Sequence, residues 1–205
     1  MVDYFVRGGP FMWPLLFFLV LGLVFSLERI WTLSRASINS RKFTLKIRDA
    51  LKDGGTEKAL EICNKTRGPI ASVVSSGLRH VERGMADVEK AIMASGAIEM
   101  AFLERNLIWL ATVISVAPML GFLGTVSGMV NAFESIAAAN DISPSLVADG
   151  ISEALLTTLF GLVIAIIIQF FHNLSVSRID KIVADMEEST LEVTDILADL
   201  KQIKE

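Results

Sequence analysis

Three long stretches of this 205-residue chain carry no Asp, Glu, Lys or Arg: Gly8 to Leu27, Asn106 to Phe133 and Ala154 to Ser177, of 20, 28 and 24 residues. A helix needs about 20 mostly apolar residues to cross the hydrocarbon core of a bilayer. Each stretch therefore predicts one transmembrane helix. Three buried helices of a soluble domain are the weaker reading, because such helices seldom keep so many consecutive positions free of charge. The first stretch lies where a secretory signal would. Only Arg7 precedes it, however, and Ser26-Leu27-Glu28-Arg29 is a poor exit for a signal peptidase. It is read as a true span.

Between the apolar stretches the pattern changes. Fourteen of the 19 Lys and Arg residues lie from Arg29 to Arg105, and Arg29, Arg35, Arg41, Lys42, Lys46 and Arg48 follow the first span closely. The connection from Glu134 to Glu153 holds no Lys or Arg, only acids such as Glu134, Asp141 and Asp149. Arg178 and Lys181 follow the third span. Basic residues near span ends stay in the cytoplasm. The expected division is 1–10 outside, 11–29 first span, 30–105 a cytoplasmic helical segment, 106–133 second span, 134–152 a short outside loop, 153–176 third span, and 177–205 a cytoplasmic amphipathic helix. The fold class is an all-α integral membrane protein with two spans extended into the cytoplasm as long helices.

The finer pattern adds local expectations. Gly8-Gly9-Pro10-Phe11-Met12-Trp13-Pro14 opens the first span with interfacial aromatics, and Pro14 suits a first helical turn. Trp31 marks the other interface. Asp53-Gly54-Gly55 reads as a turn, Thr56 as the N-cap of the helix after it, and Gly68-Pro69 as that helix's end. From Met85 to Phe133 only Pro118 interrupts a helical reading, which predicts one helix about 70 Å long. In the tail, Ile179, Ile182, Val183, Met186, Val193, Ile196, Leu197, Leu200 and Ile203 recur at spacings of mostly three and four. That is one apolar stripe, to be buried on the middle segment or on copies of itself. The single cysteine, Cys63, excludes an intrachain disulfide; it is expected to be a reduced thiol in the cytoplasm and reads as a small semi-buried hydrophobe.

Composition adds little: 52% hydrophobic residues and a formal net charge of −4. The informative absence lies inside the spans. Glu28, Glu134, Glu153 and His172 sit at their edges, and none has an ionisable residue at its middle. Ion paths through membranes usually need such a group. Either the chain passes no ions or a partner brings the carboxylate. No nucleophile–base set, metal-ligand cluster or cofactor motif is present, and His80 and His172 stand far apart, so no enzyme is expected. The basic residues near the first span suit topology and anionic headgroups better than nucleic acid.

In the second span Gly121, Gly124 and Gly128 share one helix face, and Gly124-x-x-x-Gly128 is a contact motif of membrane helices. Thr125 and Ser127 add hydroxyls, which in membranes often bond back to their own helix. The third span supplies Thr157, Thr158 and Gly161 close to its start. On pattern alone these make a polar helix–helix contact.

The same stretches carry a family resemblance. Ala117-Pro118-x-Leu120-Gly121-x-Leu123-Gly124-Thr125-Val126-x-Gly128-Met129 resembles the second-span motif of the MotA/TolQ/ExbB proton-channel family. Gly150-Ile151-Ser152-Glu153-Ala154-Leu155-x-Thr157-Thr158-x-x-Gly161-Leu162-x-x-Ala165-Ile166 resembles the third-span motif, and Asn173 fits too. Size and span number favour the ExbB/TolQ branch over the larger four-span MotA branch. One departure is Ile167, where many relatives have a proline, so a local kink is not expected there.

The resemblance implies a homopentamer in the bacterial inner membrane, N-terminus periplasmic and C-terminus cytoplasmic, around a pore. The pore would hold the single spans of two ExbD/TolR-like partner copies, each with a membrane aspartate, and a TonB-like protein is a further candidate partner. It implies a pathway role for Thr125, Thr158 and, beside them, Thr157, with Glu153 at the outer mouth; the competing reading of Glu153 is a carboxylate that favours the dipole at the start of its own helix. Gly121, Gly124, Gly128 and Gly161 would let helices approach, and Pro118 would loosen the second span by removing one hydrogen bond. The expected function is the channel and stator subunit of an ion-driven motor, most simply proton-driven, that works on the cell envelope as in energised outer-membrane transport. The alternatives are a non-conducting membrane scaffold of the same fold, or a gliding or Tol-Pal type motor subunit.

Overall fold

The computed structural model describes residues 2–139 and 144–202. All regular elements among them are helical. The α-helices are α1 (Val2–Arg7), α2 (Met12–Ala36), α3 (Ser40–Lys65), α4 (Pro69–Leu78), α5 (Met85–Glu104), α6 (Leu107–Ala139) and α7 (Pro144–Gln202). Three stretches are long and apolar enough to cross a membrane, and they fall in α2, α6 and α7 as the charge-free windows predict. The chain divides into two compact units, residues 1–29 with 106–174, and residues 30–105 with 175–205.

The first unit holds the three apolar helices. Its core joins Met12 and Leu15 of α2, Leu110, Val113 and Ala117 of α6, and Ile164 and Ile168 of α7. A Cβ placed on Gly22 would lie 2.8 Å from the Ile168 side chain and 3.2 Å from Val113, so α2 reaches the other two helices through a glycine. At its base Arg29, buried, forks onto the adjacent Glu28 carboxylate at 2.7 and 2.6 Å. A guanidinium taken out of water needs such a bidentate partner.

Two expectations change here. The helix read as continuous from Met85 to Phe133 is broken: α5 ends at Glu104 and α6 starts at Leu107. Asn106 between them has φ of 69°, a left-handed conformation that Asn tolerates better than other side chains. Its Nδ2 donates to Glu28 Oε2 at 3.4 Å. Much of the connection read as a loop over 134–152 is also helical, α6 running on to Ala139 and α7 starting at Pro144. Ala137, Ala138 and Ala139 favour helix, and proline suits a first helical turn. Asp141 and Ile203 lie outside the described residues.

The second unit is a helical bundle. Asn39 caps α3 by accepting from the Lys42 backbone N–H at 3.0 Å. The predicted Asp53-Gly54-Gly55 turn is a kink at Gly55, φ 69° and ψ −165°. The tail stripe is buried within this unit: Ile179, Ile182, Met186, Val193 and Leu197 are all buried. Thr44 donates to Ser189 at 3.1 Å between α3 and α7, and Arg48 pairs with Glu192 across 3.7 Å. The stripe thus lies against the middle segment of its own chain. Cys63 is buried, and burial pushes its thiol up to about 11.

Candidate functional site

The site grows from the packing of α6 on α7. A Cβ on Gly161 would lie 2.5 Å from the Ala117 carbonyl oxygen, and one on Gly121 would lie 2.8 Å from the Thr157 carbonyl oxygen. At Gly128 it would lie 3.1 Å from Ala154. At Gly150 it would lie 2.5 Å from the Ala132 Cβ. The contacts step down α7 as they climb α6, so the two helices run antiparallel. Small residues let their backbones touch, as is usual for helices that meet inside a membrane. Gly121, Gly124, Gly128 and Gly161 all lie on this contact, and so do Gly150 and Ala132.

That closeness brings hydroxyls within reach of the opposite backbone. Thr158 Oγ1 donates to the Gly121 carbonyl at 3.1 Å, and Thr157 Oγ1 reaches the same oxygen at 3.2 Å. Thr157 also bonds the Ala154 carbonyl at 2.8 Å. Thr125 Oγ1 lies 3.1 Å from the Ala154 carbonyl and 3.3 Å from its own helix at Gly121. Thr125 and Thr158 are hydrogen-bonded to each other. Thr157 is buried at 1% exposure, whereas Thr125 and Thr158 are half-buried. The seam thus has one closed hydroxyl and two partly open ones. A Cβ on Gly124 would lie 2.5 Å from Thr157 Oγ1, so that glycine makes room for the buried hydroxyl.

The other predicted site residues fall nearby or apart. Pro118 sits inside α6, which continues through it. Glu153 is half-buried five residues before Thr158, about 7.5 Å along the axis at helical rise. It is not gathered with the threonines; its carboxylate lies against Gly9, in the turn between α1 and α2. The acceptors of the seam, the Gly121 and Ala154 carbonyls, were absent from the sequence reading. Backbone oxygens have no residue type to announce them. Their only sequence signal is the small residue that exposes them.

Helices α2, α6 and α7, long and apolar enough to span a membrane, with an uncharged hydroxyl seam between α6 and α7, define a polytopic helical membrane protein. Within that class the assignment is specific: residues 65–188 match the MotA/TolQ/ExbB proton channel family, and the chain belongs to it. A protein described as an ExbB homolog in Methanothermobacter thermautotrophicus is 31% identical over 180 residues, 87% of this chain and 64% of its own. The Tol-Pal system protein TolQ of Haemophilus influenzae is 38% identical over 99 residues, 48% of this chain and 43% of its own. The biopolymer transport protein ExbB of Salmonella typhimurium is 33% identical over 112 residues, 55% of this chain and 44% of its own. The chain thus spans under two thirds of the length of these relatives. The ExbB/TolQ branch expected from size and span number is the branch these relatives represent.

Proposed function

We propose that the chain is the channel and stator subunit of an ion-driven motor, with the Thr125–Thr158 seam as its part of the ion path. The observation that carries the reading is the convergence of Thr125, Thr157 and Thr158 on two carbonyls inside the stretch that matches the family. Uncharged hydroxyls cannot carry an ion alone, but they can donate to a carboxylate that a partner brings into the membrane. Five chains around two copies of an ExbD/TolR-like single-span protein, each with a membrane aspartate, supply that carboxylate. In this arrangement the N-terminus is periplasmic and residues 30–105 are cytoplasmic. Protons move past the half-open hydroxyls, and the work reaches the envelope through a further partner such as a TonB-like protein.

The test uses the complex purified through a tag on this chain and reconstituted into vesicles. Thr158→Val keeps the shape and deletes one donor. Proton flux should fall about tenfold, the rate equivalent of one hydrogen bond of ~1.4 kcal/mol, while Thr158→Ser retains most of it. Native mass spectra of the same preparation should give five chains plus two small ones. Flux indifferent to Thr158→Val, or a complex with no single-span partner, would overturn the reading in favour of a non-conducting scaffold.

A further inference from the structure

The turn between α1 and α2 has no part in the threonine seam, yet it is built with care. Gly8 and Gly9 follow α1 directly, and Gly9 has φ of 68°. The Gly9 N–H bonds Val6 O at 3.4 Å and its carbonyl accepts from Met12 N at 3.2 Å, so both backbone groups are used within the turn. Where a side chain of Gly8 would stand, the Met12 side chain stands instead, 2.6 Å from the would-be Cβ, and Met12 is itself buried in the three-helix core. Phe5 of α1 packs edge-on against Trp13 of α2 with ring centroids 5.4 Å apart. The turn is therefore anchored on both sides.

Its second glycine faces a different neighbour. The Glu153 carboxylate occupies the space where a Gly9 side chain would stand, its Cδ only 2.8 Å from the would-be Cβ. Among the described residues Glu153 has no ion-pair partner. It fills the space that the absence of a side chain at position 9 leaves open.

We propose that Gly9 is a positioning residue for Glu153, holding its carboxylate against the α1–α2 turn at the outer end of the α6–α7 seam. The inference rests on the channel reading for its purpose, but not for its geometry. Any side chain at position 9 pushes the carboxylate off the turn. Alanine also strains the left-handed backbone. Asn tolerates that conformation yet still carries a Cβ, so Gly9→Asn separates displacement from strain.

The test reads Glu153 directly. In the purified complex a hydrophobic carbodiimide is applied and modification of Glu153 is followed by peptide-resolved mass spectrometry. Gly9→Ala and Gly9→Asn should each speed the modification severalfold, because a displaced carboxylate loses the cover of the turn. An unchanged rate in both variants, with melting temperature preserved, overturns the proposal. In vesicles the same variants should lower proton flux, since displacing a reacting group by about 1 Å can cost up to ~100-fold. Glu153→Asp, one methylene shorter, should restore part of the flux in the Gly9→Ala background, which a merely structural fault would not allow. Changed modification without changed flux retains the positioning and removes its role in transport. Absent flux in the unaltered complex removes the channel reading and leaves the modification experiment decisive for Gly9.

Discussion

Replacing Gly161 by alanine adds one methyl where α6 and α7 meet backbone to backbone. That methyl would lie 2.5 Å from the Ala117 carbonyl oxygen, 3.2 Å from Gly121 Cα and 3.3 Å from the Ala117 carbonyl carbon. All three are backbone atoms and cannot swing away. Ordinary contact begins near 3.4 Å, so the helices must part by about 0.9 Å, more than the shallow van der Waals well tolerates. Overpacking of this kind costs about 1–3 kcal/mol. Alanine's better helix propensity returns about 0.5–1 kcal/mol. The net is a loss of up to about 2.5 kcal/mol, or as much as roughly 10 °C in melting temperature for a chain of this size. The same parting would break the Thr157 and Thr158 bonds to Gly121, now 3.2 and 3.1 Å, so proton flux should fall as well. Gly96→Ala is the control. Gly96 lies in α5 with nothing within 4 Å of its would-be Cβ, so it should gain about 0.5–1 kcal/mol from propensity alone. Thermal melts of both variants in one detergent decide the matter. If the two shift in the same direction by similar amounts, close backbone contact is not what Gly161 provides.

Two further outcomes concern the second unit. Burial holds the Cys63 thiol up at about 11 against an ordinary 9.0, so the folded chain favours the neutral form. Its contribution to stability is complete below about pH 9 and is lost as pH rises toward 11; alkylation of the native protein should be slow at pH 8 and keep accelerating past pH 9, and a plateau near 9 would refute the buried thiol. Asn39→Ala removes the cap on the first turn of α3 and should cost about 1 kcal/mol, visible as a lower melting temperature that Asn39→Asp largely restores.

What could be read from the chain beforehand followed from which physical signals are local. A span needs only a run without charge, so Gly8 to Leu27, Asn106 to Phe133 and Ala154 to Ser177 were visible at once. The packing face was visible because Gly121, Gly124 and Gly128 repeat at helical spacing. The break at Asn106 was not, since a single left-handed asparagine lacks the Gly or Pro that usually marks a helix end. Nor was the partner of Glu153. Gly9 lies 144 positions away in sequence, and a contact made by an absent side chain leaves no trace in residue type. The tail stripe was legible as a stripe, but its choice between the middle segment and other copies depended on the fold.

The Gly121 carbonyl is asked to accept from three hydroxyls at once, those of Thr125, Thr157 and Thr158, at 3.3, 3.2 and 3.1 Å. A carbonyl oxygen has two lone pairs, and each hydroxyl has one hydrogen that rotates to suit its surroundings. The seam is oversubscribed. Several arrangements of its protons satisfy it almost equally well, with Thr125 able to turn to Ala154 or to Thr158 instead. Such degeneracy leaves a donor that can be withdrawn from one oxygen and offered to another without stranding either. An anionic oxygen arriving beside the half-open pair would find a hydrogen bond available at little cost. On its departure the hydroxyls would close back on the helix, and the cycle could repeat with no side chain moving more than a rotation about one bond.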